Sequence, residues 1–324
     1  GLRHFVSMNS MENSFFFKTI KVEKGIDKEH IFLGASIFNH SINQEPNTFK
    51  NTDLFLEGDV HKQFSDLLTF NARAHIGLLK RTGDFMVRGD LALQTKKAGV
   101  LKGTLRIQNY SPTLLENDLY ITQTSVWNNS FSKSFETYFK AKYELERLQL
   151  SASFEQYLIG NYIFMDIDRS PTQLSEDLRV SILTFQKDFE WAGFHLDNTV
   201  ALQSISGSNI NLPTFYTKHA LYYQNRIFRK VLLFQLGFSL KTFESFAAPT
   251  FFPITGSFHQ QDVPIDFFPY INAFANFKIG KSFRAFLLME NFTNLINNEV
   301  YFNTYFYPMF DAQLRFGFRW QLRG

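Results

Sequence analysis

The stretch Val231-Leu-Leu-Phe-Gln-Leu-Gly-Phe-Ser-Leu-Lys-Thr-Phe243 decides the fold. Leu232, Phe234, Leu236, Phe238 and Leu240 share one parity; Gln235, Gly237, Ser239 and Lys241 share the other. A repeat of two marks a strand with one apolar and one polar face, whereas an amphipathic helix would space its polar residues by three and four. The pattern recurs at 68–78, where Leu68, Phe70, Ala72, Ala74, Ile76 and Leu78 alternate with Asn71, Arg73, His75 and Gly77. At 135–145, Phe135, Thr137, Phe139, Ala141, Tyr143 and Leu145 oppose Glu136, Tyr138, Lys140, Lys142 and Glu144. Near the C-terminus, Leu314, Phe316, Phe318 and Trp320 oppose Arg315, Gly317, Arg319 and Gln321.

Working outward, the alternation predicts fourteen strands, at 30–39, 50–60, 67–79, 84–94, 99–110, 131–145, 147–157, 175–188, 193–203, 214–227, 231–243, 267–279, 283–294 and 309–321. Two weaker candidates precede them, at 2–8 and 14–23. Strands of soluble sheets favour about 5–6 residues; a tilted crossing of a bilayer needs about 9–11. The links sort into short turns, such as Phe228-Arg229-Lys230 and Ile279-Gly280-Lys281-Ser282, and longer segments at 40–49, 111–130, 158–174, 204–213, 244–266 and 295–308. Short and long alternate, except that Lys80-Arg81-Thr82-Gly83 is short where a long link is due. The expected fold is therefore all-β: a transmembrane antiparallel up-and-down β-barrel of about 14–16 strands, with short periplasmic turns and longer extracellular loops. It is one domain over residues 1–324, or the C-terminal part of a longer chain.

Composition agrees. The 324 residues are 44% apolar and 19% charged, and 40 of them are Phe. Soluble domains carry about 25% charge. The balance of 33 basic and 30 acidic residues, +3, is too small to point to nucleic acid. With no Cys there are no disulfides, thiolate metal sites or Cys nucleophiles. No apolar run approaches the roughly 18 residues of a transmembrane helix. Gly1-Leu2-Arg3-His4 lacks the basic head and apolar run of a signal peptide, so the chain is expected to be mature or to have lost its N-terminal part. Rings at Phe267, Phe268 and Tyr270, at Trp191 and Phe194, and at Tyr305, Phe306 and Tyr307 are expected at the headgroup belts.

Inside such a barrel the polar parity lines the lumen. Candidate basic lining residues include Arg73, Arg88, Arg106, Lys140, Lys142, Arg179, Lys241, Arg315 and Arg319, with Lys102 and Lys187 beside them. Candidate acidic ones include Glu136, Glu155 and Glu290, with Glu57, Asp59, Asp90, Glu144 and Asp197. The plainer reading is ion pairs between neighbouring strands that stiffen the wall; the sharper one is a lumen that prefers anions. The segment 244–266 carries little charge and includes Phe251, Phe252, Pro253 and Phe258. A solvated loop would be more polar, so it is expected to pack as a constriction, as a cover over the mouth, or as a docking surface.

The C-terminal part also resembles a known family. The residues that carry the likeness are Leu221-Tyr-Tyr-Gln-Asn-Arg-Ile-Phe228, Leu233-Phe-Gln-Leu-Gly-Phe238, Ala248-Pro-Thr-Phe-Phe-Pro-Ile-Thr-Gly256, Phe268-Pro-Tyr-Ile-Asn-Ala273, Tyr307-Pro-Met309 and Leu314-Arg-Phe-Gly-Phe-Arg-Trp320. Together they resemble the Bacteroidetes outer-membrane putative porin family. The resemblance implies a bacterial outer-membrane barrel with a channel role and no catalytic residues. The last strand also resembles a barrel-assembly signal, from which the overhang Gln321-Leu-Arg-Gly324 departs.

Chemistry finds little support. His195 and Asp197 lie two apart through the strand period alone, and Gly256-Ser-Phe-His259 lacks a nucleophile elbow's context. Asp166-Ile-Asp168 is the nearest approach to a calcium loop. No enzyme activity, cofactor or metal is expected. The expected contacts are outer-membrane lipid, small polar solutes or ions, and other outer-membrane proteins, without nucleic acid. The leading function is passive diffusion. The alternative is a structural or interaction subunit of a larger secretion or nutrient-import complex.

Overall fold

The computed structural model describes residues 5–23, 26–95, 97–207, 210–266, 268–280, 282–297 and 300–321. The readings of Gly1–His4, Phe267 and the overhang 322–324 lie outside the described residues. Fifteen strands form one sheet, each pairing antiparallel with its neighbours in sequence. They are β1 (Val6–Glu23), β2 (Ile26–Gln44), β3 (Asn47–Gln63), β4 (Leu68–Leu79), β5 (Phe85–Thr95), β6 (Gly99–Tyr110), β7 (Ser134–Leu145) and β8 (Leu150–Gly160). The wall continues with β9 (Leu178–Trp191), β10 (Phe194–Ser206), β11 (Phe215–Ile227), β12 (Leu232–Phe243), β13 (Tyr270–Ile279), β14 (Phe283–Glu290) and β15 (Gln313–Trp320). Every one of the fourteen expected strands is present. The two weaker candidates merge into one 18-residue strand, β1.

One expected loop is not a loop. Instead of a long link at 40–49, β2 and β3 run on to a two-residue turn at Glu45-Pro46, with Gln44 opposite Asn47. On the other side of the sheet, links at 64–67, 146–149, 192–193 and 228–231 are tight. Ala192 and Gly193 both have positive φ, 49° and 84°. That is the requirement of a two-residue turn whose twist matches the flanking strands. Gly193 also has Gln224 O only 2.9 Å from where a Cβ would stand.

Parity divides the wall into faces. Leu314, Phe316, Phe318 and Trp320 on β15 align with Ala285 and Leu287 on β14, and Phe316 and Phe318 are 75% and 73% exposed. Left in water, such surface would cost about 25 cal/mol per Å². Lipid removes that cost. Trp191 and Phe194 flank a tight turn and are exposed, as a headgroup belt requires. Two other expected belt residues are elsewhere. Phe268 is buried and stacks on Tyr301 with ring centres 3.8 Å apart, and Tyr270 lies on the polar parity beneath Lys241. Tyr305, Phe306 and Tyr307 sit in and beside a small hairpin of Phe302–Thr304 with Tyr307–Pro308, so they belong to a loop.

Candidate functional site

The polar face of β3 to β8 is a ladder of matched charge. Asp59 takes a hydrogen bond from Arg73 at 3.3 Å and lies 2.8 Å from His30. Arg88 holds Asp90 through two hydrogen bonds of 2.8 and 2.9 Å, and Thr104 donates to the same carboxylate at 2.6 Å. Next come Arg106 with Glu136 at 2.5 Å, Lys140 with Glu155 at 2.8 Å, and Lys102 and Lys142, both 2.6 Å from Glu144. The Tyr138 hydroxyl donates to Glu155 at 2.9 Å, and the Arg106 guanidinium lies 5.1 Å from the Tyr138 ring centre. Here the ion-pair reading describes what the side chains do. Farther along, Arg315 meets Glu290 at 2.7 Å. Lys241 lies over the Tyr270 ring, and Arg319 faces Arg284 across the last pair of strands.

Two expected lining residues are corrected. Arg179 pairs with Leu158 and Ser206, and so shares its parity with Leu183, Phe185 and Phe189 on the apolar face. Lys187 lies on that face too, with its ammonium 4.8 Å from the Phe189 ring centre and hydrogen-bonded to Leu148 O. Both are near strand ends, where a long stem can lie along apolar surface while the charge reaches water. In turn, Lys218, Arg226, Lys278 and Arg284 line the polar face and were not singled out from the sequence. Carrying the parity of Gln235 and Lys241 across adjacent strands would have found them.

At the loop side, polar-parity positions turn apolar. Ile159 on β8 and Leu178 on β9 form a buried cluster with Phe164 and Leu174 from loop 161–177, and Val180, Ile205 and Ile210 pack around it. Here the loop folds inward onto these apolar residues of the inner parity. Each such buried side chain contributes about 1.5–3 kcal/mol. Hydrogen bonds then join loop to loop. Ser132 N and O both meet the Gln173 amide, at 3.1 and 2.8 Å. Gln260 N donates to Met165 O at 2.9 Å, and Asn211 Nδ2 donates to Gln261 O at 3.3 Å. Thr250 donates to Tyr305 O at 2.6 Å, and the Tyr307 hydroxyl to Phe251 O at 3.2 Å.

The segment 244–266 is the hub of this network. Thr250–Phe252 pairs with Ser257–His259 in a hairpin that turns through Pro253. The Phe251 ring lies 5.3 Å from that of Phe258, and Arg169 approaches the Phe252 ring centre to 4.9 Å. Phe258, opposite Phe251 in the hairpin, remains exposed. The short link 80–84 is also tied in: Lys133 meets Asp84 at 2.7 Å, and Arg81 meets buried Asp53 at 3.2 Å. Between the loops lies a cavity of about 540 Å³, bounded by Leu119, Trp127, Tyr162, Phe164, Leu212 and Phe258.

Asp166 closes the hairpin Ile163–Met165 with Pro171–Gln173. Burial opposes its charge, but hydrogen bonds from Thr172, Ser170 and the Asp168 amide hold its carboxyl below the ordinary range. Its acceptor oxygens are thus used by the protein itself. On β10, His195 stacks on Tyr222 with centres 4.8 Å apart. Burial pushes the phenol of Tyr301, behind Phe268, upward.

Comparison with known proteins places this wall. The family model described as Putative porin matches residues 3–322. No curated protein matches the sequence. Among solved structures, the siderophore receptor PirA from Acinetobacter baumannii superposes with a TM-score of 0.67 at 6% identity, covering 97% of this chain and 55% of that one. The FrpB iron transporter from Neisseria meningitidis (F5-1 variant) gives 0.66 at 11%, covering 98% and 56%. The ferripyoverdine receptor of the outer membrane of Pseudomonas aeruginosa gives 0.62 at 12%, covering 98% and 49%. The chain spans about half the length of these structures. At such identities the likeness is one of fold: a transmembrane antiparallel up-and-down β-barrel of the bacterial outer membrane.

Proposed function

The chain belongs to the putative porin family, and on that premise we propose that its barrel lets small polar solutes or ions diffuse passively across the outer membrane. The observation that carries this reading is the charged ladder of β3 to β8, on the face opposite the apolar one. Matched ion pairs such as Arg106 with Glu136 keep the β3 to β8 part of that face wettable without a large net field. The interlocked loops then act as a filter at the outer mouth, and outer-membrane lipid covers the apolar face.

The test is single-channel recording from the folded chain in a planar bilayer under a salt gradient. Stable ohmic steps are expected. Silence from barrels that are demonstrably folded would overturn passive diffusion. It would favour a second reading, a structural or interaction subunit of a larger outer-membrane assembly. One observation supports that alternative: loop 291–312 exposes Ile296 (71%), Val300 (71%), Phe306 (69%) and Phe310 (71%), a surface suited to another chain.

A further inference from the structure

Two stretches of the polar face carry different charge, and β9 and β10 between them carry Asp188, Glu190 and Asp197 on the same parity. On β3 to β8, six basic side chains stand against seven acidic ones. On β11 to β15 the polar parity holds Lys218, Arg226, Lys241, Lys278, Arg284, Arg315 and Arg319, and Glu290 as its single acid. Glu290 is spent on Arg315.

Strand pairing then sets four of these cations in one row. Arg226 pairs with Leu233, Leu233 with Lys278, Lys278 with Arg284, and Arg284 with Arg319. Adjacent strands lie about 4.8 Å apart, so the row crosses the wall in roughly 19 Å. Like charges directly across a strand pair disfavour the fold. Among the described residues, no acid forms an ion pair with any member of the row. Such an arrangement is stable in water when anions neutralise it. Beside the row runs a line of amides, in which Asn276 donates to Gln235 and Gln235 to Gln224, at 3.2 and 2.7 Å. Between the two lies a cavity of about 530 Å³ that includes Lys278, Arg284 and Arg319. The Phe286 ring packs over Gly317, its nearest atom 2.5 Å from where a Cβ would stand, and lines the same cavity.

We propose that the polar face of β11 to β15 is a binding site for multiply charged oxyanions, with phosphate- or carboxylate-bearing small solutes as its ligand class. Three guanidinium groups offer the planar forks that match such oxygens. The site goes beyond the diffusion reading and does not depend on it, because binding can be measured whether or not current flows.

The experiment is calorimetric titration of the folded chain in zwitterionic micelles with pyrophosphate at fixed ionic strength. Saturable binding is expected, tighter than for orthophosphate. Arg284→Gln should weaken it about threefold, and the combined change of Arg226, Lys278, Arg284 and Arg319 to Gln at least tenfold. Lys187→Gln, on the other face, should bind as the parent does. Removing repulsion is not expected to unfold the barrel, and the gel mobility of unboiled samples reports folding. Absence of saturable heat, or equal affinity in the fourfold variant, would overturn the proposal. So would competition by phosphatidylglycerol added to the micelles, which would make the ligand a lipid headgroup rather than a solute.

Discussion

Single residues hold this wall at points of close approach and of buried charge. Gly237 is the sharpest case of the first. A Cβ there would stand 2.3 Å from Leu221 O and 2.4 Å from Tyr222 Cβ. Gly237→Ala is therefore expected to destabilise the barrel by about 1–3 kcal/mol, read from urea unfolding in detergent. Arg81 represents the second. It bridges Asp53 and Asp84, both nearly buried, at 3.2 and 3.6 Å. Arg81→Ala leaves Asp53 with His40 and Asp84 with Lys133. A loss of about 1–3 kcal/mol is expected in the same measurement. The link 80–84, short where the length pattern calls for a long one, thus holds Arg81 against Asp53.

At the scale of elements, the loops behave as one structure. Asp166 gives a handle on it. Its carboxyl is held below the ordinary range, so its contribution to loop stability is present above the unfolded-state value, near 3.9, and is lost as pH falls through the lower folded one. Amide protection across 161–177, corrected for intrinsic exchange, should be constant from about pH 7 to pH 5 and fall below about pH 4. Asp166→Asn should lower it at all these values. Deleting 247–262 removes the hub that contacts loops 161–177, 207–214 and 291–312. Unit conductance should then rise, and an unchanged conductance would show that the hub does not narrow the path.

The strands themselves were legible in the sequence because a period of two survives wherever one face meets lipid. The pattern misled where that condition fails. Leu178 and Val180 are apolar on the inner parity because loop 161–177 packs on them, so Arg179 between them reads as a lumen residue while it lies on the other face. Pro46 and its polar neighbours read as a loop, yet they sit in and around a tight turn between strands of 19 and 17 residues. The cationic row needed strand pairing, since Arg226 and Arg319 are 93 positions apart (319 − 226) and meet only through three intervening strands.

For the molecule as a whole, the assignment of faces is open to a direct chemical test. The chain has no Cys, so each introduced thiol is the sole reporter. Cysteines at Arg73 and Lys140 should react with a charged, water-borne maleimide in proteoliposomes, and one at Phe185 should not. A cysteine at Arg179, near the strand end, should react more slowly than those of the polar face. Equal rates at all four positions would refute the division into faces.

The knitting together of the loops has a further consequence at the cell surface. Ser132, Gln173, Gln260, Asn211 and Tyr305 come from five different segments and are tied by direct hydrogen bonds. An antibody or a phage tail that grips this surface therefore meets a composite epitope rather than a linear one. Synthetic peptides copied from any single loop should fail to compete for such a binder, whereas the folded chain should compete fully.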